Sequence, residues 1–350
     1  MEYKLSQYGR AKIDFLTDLR AISNSLETRT DQRARDHGLQ EHSLPGDPET
    51  LQAQVAPILE ADPDFRMLRL CRDWTLEQHG GIAMAAFDEV RAAIEPELQA
   101  LQSGPTTLTP DDTLVPPDYW EGYEFHKSEG GWDGHDYMGF VHGELIHRRM
   151  VNPNFAGIIY AMRKSVADAA PVDNPQKILE VGCCSGQYTQ GLAEVFPAAE
   201  IWACDLSLRQ LEQAQRYANE QGLSWKLFQA AGERTRMDDG MFDLVTSYAM
   251  FHELPPEAAL ANLQEYHRVL KPGGCVTIGD IKAYRAYDHY ERWKNDYWNQ
   301  VHGGDPYWRD YATTDLAKVA KAAGFATATW EGLGEQQYPF VLIAHKGTAE

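Results

Sequence analysis

From Lys177 onward, short apolar runs alternate with amphipathic stretches, and this alternation limits the chain to very few architectures. "KILEVG", "EIWACD", "WKLFQA", "FDLVTSYAM", "CVTIGDI", "FATATWEG" and "YPFVLIAHK" are each short and apolar, as buried strands are. Between them "QYTQGLAEVF", "SLRQLEQAQRYANEQG", "PPEAALANLQEYHRVL" and "TTDLAKVAKAAG" carry helical spacing, with Gly at helix ends and Thr as an N-cap. Strand–helix alternation predicts an α/β fold with a mostly parallel sheet of seven strands and helices on both faces. Only "LGEQQ" joins the last two strands, too little for a crossover, so the final strand is expected to run antiparallel.

The first half reads differently. "QYGRAKIDFLTDLRAISNSL" sets Ile13, Leu16, Leu19 and Ile22 three apart, and "ETLQAQVAPILEA" and "GIAMAAFDEVRAAIEPELQAL" also suit helices, with Pro57 and Pro96 expected at breaks or first turns. The loop "SGPTTLTPDDTLVPPD" is expected to separate subdomains. This gives a mainly helical region over residues 1–150, a cap or dimerisation element. An α/β core follows over 151–350, with an aromatic-rich insert at about 283–311.

In such a sheet, ligands bind at the carboxyl ends of the strands where strand order reverses. The first strand-to-helix turn, "ILEVGCCSGQYT", must therefore let a ligand approach the backbone. Gly182 and Gly186 bracket it, Glu180 precedes it, and Asp205 ends the next strand, where a carboxylate accepts both hydroxyls of a ribose. A dinucleotide site wants G-x-G-x-x-G; here the run is Gly-Cys-Cys-Ser-Gly, which favours a nucleoside without a pyrophosphate. Vicinal Cys183 and Cys184 are poorly placed for an unstrained disulfide and have no ligand partners at zinc spacing, so they read as small packing residues.

These residues resemble the class I S-adenosylmethionine-dependent methyltransferases over about Lys177–Lys346. "ILEVGCCSG" is similar to that family's first motif, "WACDLS" to the second, "AAGERTR" to the third, "FDLVTSYAMFHELP" to the fourth strand and its loop, and "RVLKPGGCVTIGD" to the turn before the fifth strand. The resemblance implies S-adenosylmethionine as cofactor. It implies cofactor contacts at Glu180, Gly182, Cys183, Ser185 and Gly186, ribose binding by Asp205, and adenine against Leu206. Ala231 stands where the family often has an adenine-recognising acid, leaving Gly232 and Glu233 to serve. His252 and Glu253 follow the fourth strand and are expected near the methyl group, with Tyr248 of that strand as a further pocket residue and His252 as general base because its reference pKa of roughly 6.5 suits proton transfer.

Composition bears on the substrate class by weighing against nucleic acid. With 52 Asp+Glu against 32 Lys+Arg, formally −20, the chain lacks the basic runs of a nucleic-acid binder. The post-strand loop also lacks the patterns of enzymes that methylate amino groups of bases or cytosine carbon. The expected acceptor is a small organic molecule, methylated on oxygen. Methylation of carbon, nitrogen or sulfur is the alternative, including a metal-assisted reaction on a 2-oxo acid, as is a cofactor-binding partner protein without chemistry. Trp293, Tyr297 and His142 are expected to line the substrate pocket. The histidines between His126 and His147 lack helical metal spacing, so no metal is assigned. No apolar run of about 18 residues or leader-like segment is evident, and a cytoplasmic location is expected, with a homodimer allowed for.

Overall fold

The computed structural model describes residues 3–39, 44–155 and 157–348. Four helices open the chain: α1 (Gln7–Asp36), α2 (Pro48–Glu60), α3 (Pro63–Asp88) and α4 (Arg91–Ala100). Their starts are written locally. Asp47 and Asp62 accept backbone N–H bonds from the first turns of α2 and α3, and Pro48 and Pro63 take the first helical position, where no intrahelical donor is needed. Pro57 and Pro96 lie inside α2 and α4 rather than at breaks, each helix giving up one backbone bond. On α1, Ile13 and Leu16 are buried but Ile22 is exposed. Steps of three drift around a helix of ~3.6 residues per turn, so nine residues bring the side chain to the opposite face.

The sheet has eight strands among the described residues: β1 (Thr107–Thr109), β2 (Lys177–Val181), β3 (Glu200–Asp205), β4 (Lys226–Gln229), β5 (Phe242–Tyr248), β6 (Leu270–Asp280), β7 (Thr327–Gly332) and β8 (Phe340–His345). Their order is β1-β4-β3-β2-β5-β6-β8-β7, and only β8 runs antiparallel to its neighbours. The seven expected strands are present. The eighth, β1, comes from the loop read as a subdomain separator and pairs in parallel with the free edge of β4. Strand order reverses at β2, whose neighbours are β3 and β5, and this puts a crevice at the carboxyl ends of those three strands.

The insert after β6 contains a helix at His289–Asp296 and a π-helical turn at Tyr297–Val301. It packs back on the N-terminal helices. Trp293 and Tyr297 share a core with Leu51, Val55, Leu59 and Phe65. The Phe65 ring centroid lies 6.0 Å from Trp293 and 5.4 Å from Tyr297.

Candidate functional site

The turn after β2 is held in an unusual backbone conformation. Gly182, Cys184 and Gly186 all have positive φ, at 72°, 49° and 84°. The glycines adopt this freely, whereas Cys184 is strained there, which explains why a glycine suits that position. A Cβ on Gly186 would come within 2.8 Å of Trp225. The turn is tied to β3: the N–H groups of Gly182 and Cys183 both donate to the Cys204 carbonyl, at 2.8 and 3.0 Å. Cys184 N–H donates to Asp205 Oδ2 at 2.8 Å, and Ser207 N–H to Asp205 Oδ1 at 2.9 Å. Each Asp205 oxygen thus keeps lone pairs for a ligand.

This turn walls a cavity of about 360 Å³ that also meets Leu206, Gly232, Tyr248 and His252. Glu180 lies at its base, fully buried, with neither carboxylate oxygen hydrogen-bonded within the protein. Burial lifts Glu180 to about 8 and Asp205 to about 6. An unpartnered carboxylate facing a cavity is costly unless a donor or cation meets it there. Burial also raises both neighbouring thiols, Cys184 to about 12, which suits packing and not sulfur chemistry.

His252 follows β5 in a short 3₁₀ turn, Phe251–Glu253. Its Nδ1 donates to Asp280 Oδ1 at 2.6 Å, and Asp280, at the end of β6, is fixed in turn by the N–H groups of Phe251 and Ile281, both at 2.7 Å. Burial works against a charged His252, but the Asp280 carboxylate outweighs it and holds the ring above its ordinary pKa. Tyr248 lines the same cavity beside Tyr188, and burial pushes its hydroxyl up to about 12, so it shapes the pocket as a neutral phenol.

A second cavity, about 560 Å³, adjoins the first between the N-terminal helices and the insert. His126, His142 and His147 line both. His142 packs edge-on to Trp132, with centroids 4.5 Å apart, and its Nδ1 lies 3.7 Å from Cys184 Sγ. Burial, then His147, keeps His142 well below its ordinary pKa. Arg20 also lines the larger cavity and has no ion pair among the described residues.

Several expected residues stand elsewhere. Trp293 and Tyr297 line neither cavity; they are spent on packing, while Asn295, Trp298 and Asn299 of the same segment face the larger one. Trp293→Ala is therefore expected to lower unfolding free energy by about 3–5 kcal/mol, read by chemical denaturation, and to leave ligand affinity of the folded protein unchanged. Glu233 is one step back: it accepts from Tyr119 Oη at 3.1 Å and from Asn262 Nδ2 at 3.4 Å, and those two side chains line the cavity instead. Gly186 shapes the turn without lining it. Asp280 and Asp305 are not among the expected site residues, although an acid ending a strand at the carboxyl edge of the sheet is a readable signal for Asp280.

Residues 178–274 match the family described as a methyltransferase domain. The core is a class I S-adenosylmethionine-dependent methyltransferase domain. An uncharacterized protein of Haemophilus influenzae is 36% identical over 108 residues, covering 30% of this chain and 43% of that protein. A malonyl-[acyl-carrier protein] O-methyltransferase of Legionella pneumophila is 33% identical over 104 residues, 29% of this chain and 35% of that protein. A demethylmenaquinone methyltransferase of Thermus thermophilus is 32% identical over 117 residues, 33% of this chain and 52% of that protein. The chain thus spans about half or less of the length of these relatives. The cofactor of the methyltransferase core is S-adenosylmethionine. The residues fit it: the unpartnered Glu180 suits its cationic end, and the open lone pairs of Asp205 suit its ribose.

Proposed function

We propose that the protein transfers the methyl group of S-adenosylmethionine to an oxygen of a small organic acceptor held in the larger cavity. One observation carries this reading: His252, held from behind by Asp280, lines the cofactor cavity, and that cavity shares His126, His142 and His147 with the larger one. His252 Nε2 takes the acceptor's O–H proton, the oxygen lone pair forms the new bond to the methyl carbon, and the S–C bond breaks to leave a neutral thioether. Asp280 keeps the proton on Nδ1, so Nε2 presents its lone pair. Glu180, Gly182, Cys183, Ser185, Asp205, Leu206 and Gly232 hold the cofactor, and Tyr248 and His142 shape the space around the methyl group.

No helix among the described residues is long and apolar enough to cross a membrane. Free thiols throughout the described chain support a cytoplasmic setting. Exposed Phe15, Ile22, Leu70 and Trp74 on α1 and α3 support a homodimer.

Calorimetry with S-adenosylmethionine and its demethylated product, followed by an acceptor screen that reads the demethylated product, tests the proposal. Because Glu180 sits near 8, it is protonated at pH 7 and gives up its proton when the cationic end of the cofactor arrives. Titrations in two buffers of different ionisation enthalpy are expected to show release of about one proton per cofactor bound, and affinity that rises with pH up to about 8. A folded protein that binds neither ligand ends the reading.

A further inference from the structure

Three side chains from two distant parts of the chain converge where the two cavities meet. His126 Nε2 lies 3.0 Å from Glu253 Oε1, and His252 Nε2 lies 3.9 Å from the same oxygen. One ligand atom from each residue lies within 4.8 Å of the others. The feature that separates this cluster from an ordinary ion pair is what stands behind it. His252 Nδ1 meets Asp280 Oδ1 at 2.6 Å, and His126 Nδ1 meets Asp305 Oδ1 at 2.7 Å. Both of those carboxylates are buried. Behind His252 the Asp280 carboxylate accepts from Nδ1 and turns Nε2 forward, whereas Asp305 stands against His126 Nδ1 as a neighbouring charge whose Oδ1 makes no hydrogen bond. The two Nε2 atoms and one carboxylate oxygen are thereby gathered close together. His126 Nε2 is at hydrogen-bond distance from Glu253 Oε1, and a cation among the three atoms would take the place of the proton shared there.

The backbone supports the same conclusion. His126 and Lys127 have φ of 54° and 53°, left-handed values that cost a non-glycine residue free energy and persist where the surroundings impose them. His126 N–H is tied to the Gly304 carbonyl, one residue before Asp305, so ring and carboxylate are placed together. Glu253 sits next to His252 in a 3₁₀ turn, so Asp280 positions both through the backbone.

We propose that His126, His252 and Glu253 bind a divalent first-row transition-metal ion at the junction of the two cavities. Two imidazoles and one carboxylate leave coordination positions open, and these would take oxygen atoms of the acceptor. This deepens the methyl-transfer reading and rests on it for the ion's role, though not for its binding. With the ion present, His252 Nε2 is a ligand and no longer a base. The metal then polarises the acceptor oxygen, and its proton leaves to solvent.

The probe is Co²⁺, added to tag-free, chelator-dialysed full-length protein and followed by visible absorption and calorimetry. One equivalent is expected to bind and develop d–d bands. His126→Ala and Glu253→Gln are each expected to weaken Co²⁺ at least tenfold. Asp305→Asn, which touches no ion, is expected to weaken it by about 10–100-fold and shift the bands. Affinity for S-adenosylhomocysteine, measured on every sample, is expected to change little and verifies folding. No Co²⁺ binding by protein that still takes S-adenosylhomocysteine overturns the metal site and leaves the methyl-transfer reading standing. Co²⁺ binding unaffected by His126→Ala and Glu253→Gln also overturns it. Stoichiometric Co²⁺ without S-adenosylhomocysteine binding supports the site and defeats the methyl-transfer reading.

Discussion

Asp205→Ala is expected to weaken S-adenosylmethionine binding by about 100-fold or more. A hydrogen bond to a charged acceptor contributes about 1.5–3 kcal/mol, and a ribose offers two. The same carboxylate also takes the N–H groups of Cys184 and Ser207, so its removal frees the strained turn as well as the ribose contacts. Calorimetry at pH 7.5 measures the loss directly; a Kd within threefold of the parent would mean that Asp205 is not a cofactor ligand. The intact protein carries a related pH dependence. Burial raises Asp205 to about 6, and only its ionised form has lone pairs for both hydroxyls. Affinity is therefore expected to fall as pH drops through about 6 and to be lost at lower pH.

His252→Ala is expected to lower turnover by about 10²–10⁴-fold, the range of general acid–base effects, with cofactor Kd changed only a few-fold. The separation of kcat from cofactor affinity is the test, because a merely structural histidine would disturb both together. Loss of turnover is expected whether the ring carries a proton or an ion, and the pH profile distinguishes these roles. In chelator-treated enzyme, the Asp280 carboxylate keeps the ring above its ordinary pKa. A base in that position works only when unprotonated, so the rate rises with pH and levels off above that raised value. Variant and parent turning over at the same rate would remove His252 from the reaction.

The core was legible because its signals are local. "KILEVG" and "EIWACD" are strands by composition, and Glu180, Gly182 and Asp205 hold fixed offsets from them, so their convergence follows from a parallel sheet. The rest depends on contacts distant in sequence. His126 and Glu253 are 127 residues apart, and nothing near either one announces the other. Trp293 and Tyr297 suit a pocket by sequence because an aromatic-rich segment fits a pocket and a packing seam equally. Phe65 and the leucines of α2 decide between them, and they lie more than two hundred residues away. Glu233 shows the same limit, since Tyr119, 114 residues earlier in the segment before the core, captures it.

β1 has a consequence for how the chain could be divided. Thr107, Leu108 and Thr109 register against Lys226, Leu227 and Phe228, and so cap the outer side of β4. A fragment cut to begin near residue 170 would keep the motifs from β2 to β8 but leave β4 as a bare edge. Its unpaired N–H and C=O groups would be a template for strand exchange between copies. The apparently dispensable leader of this enzyme core is in that sense its guard against self-association, and a minimal version would need a substitute on that edge.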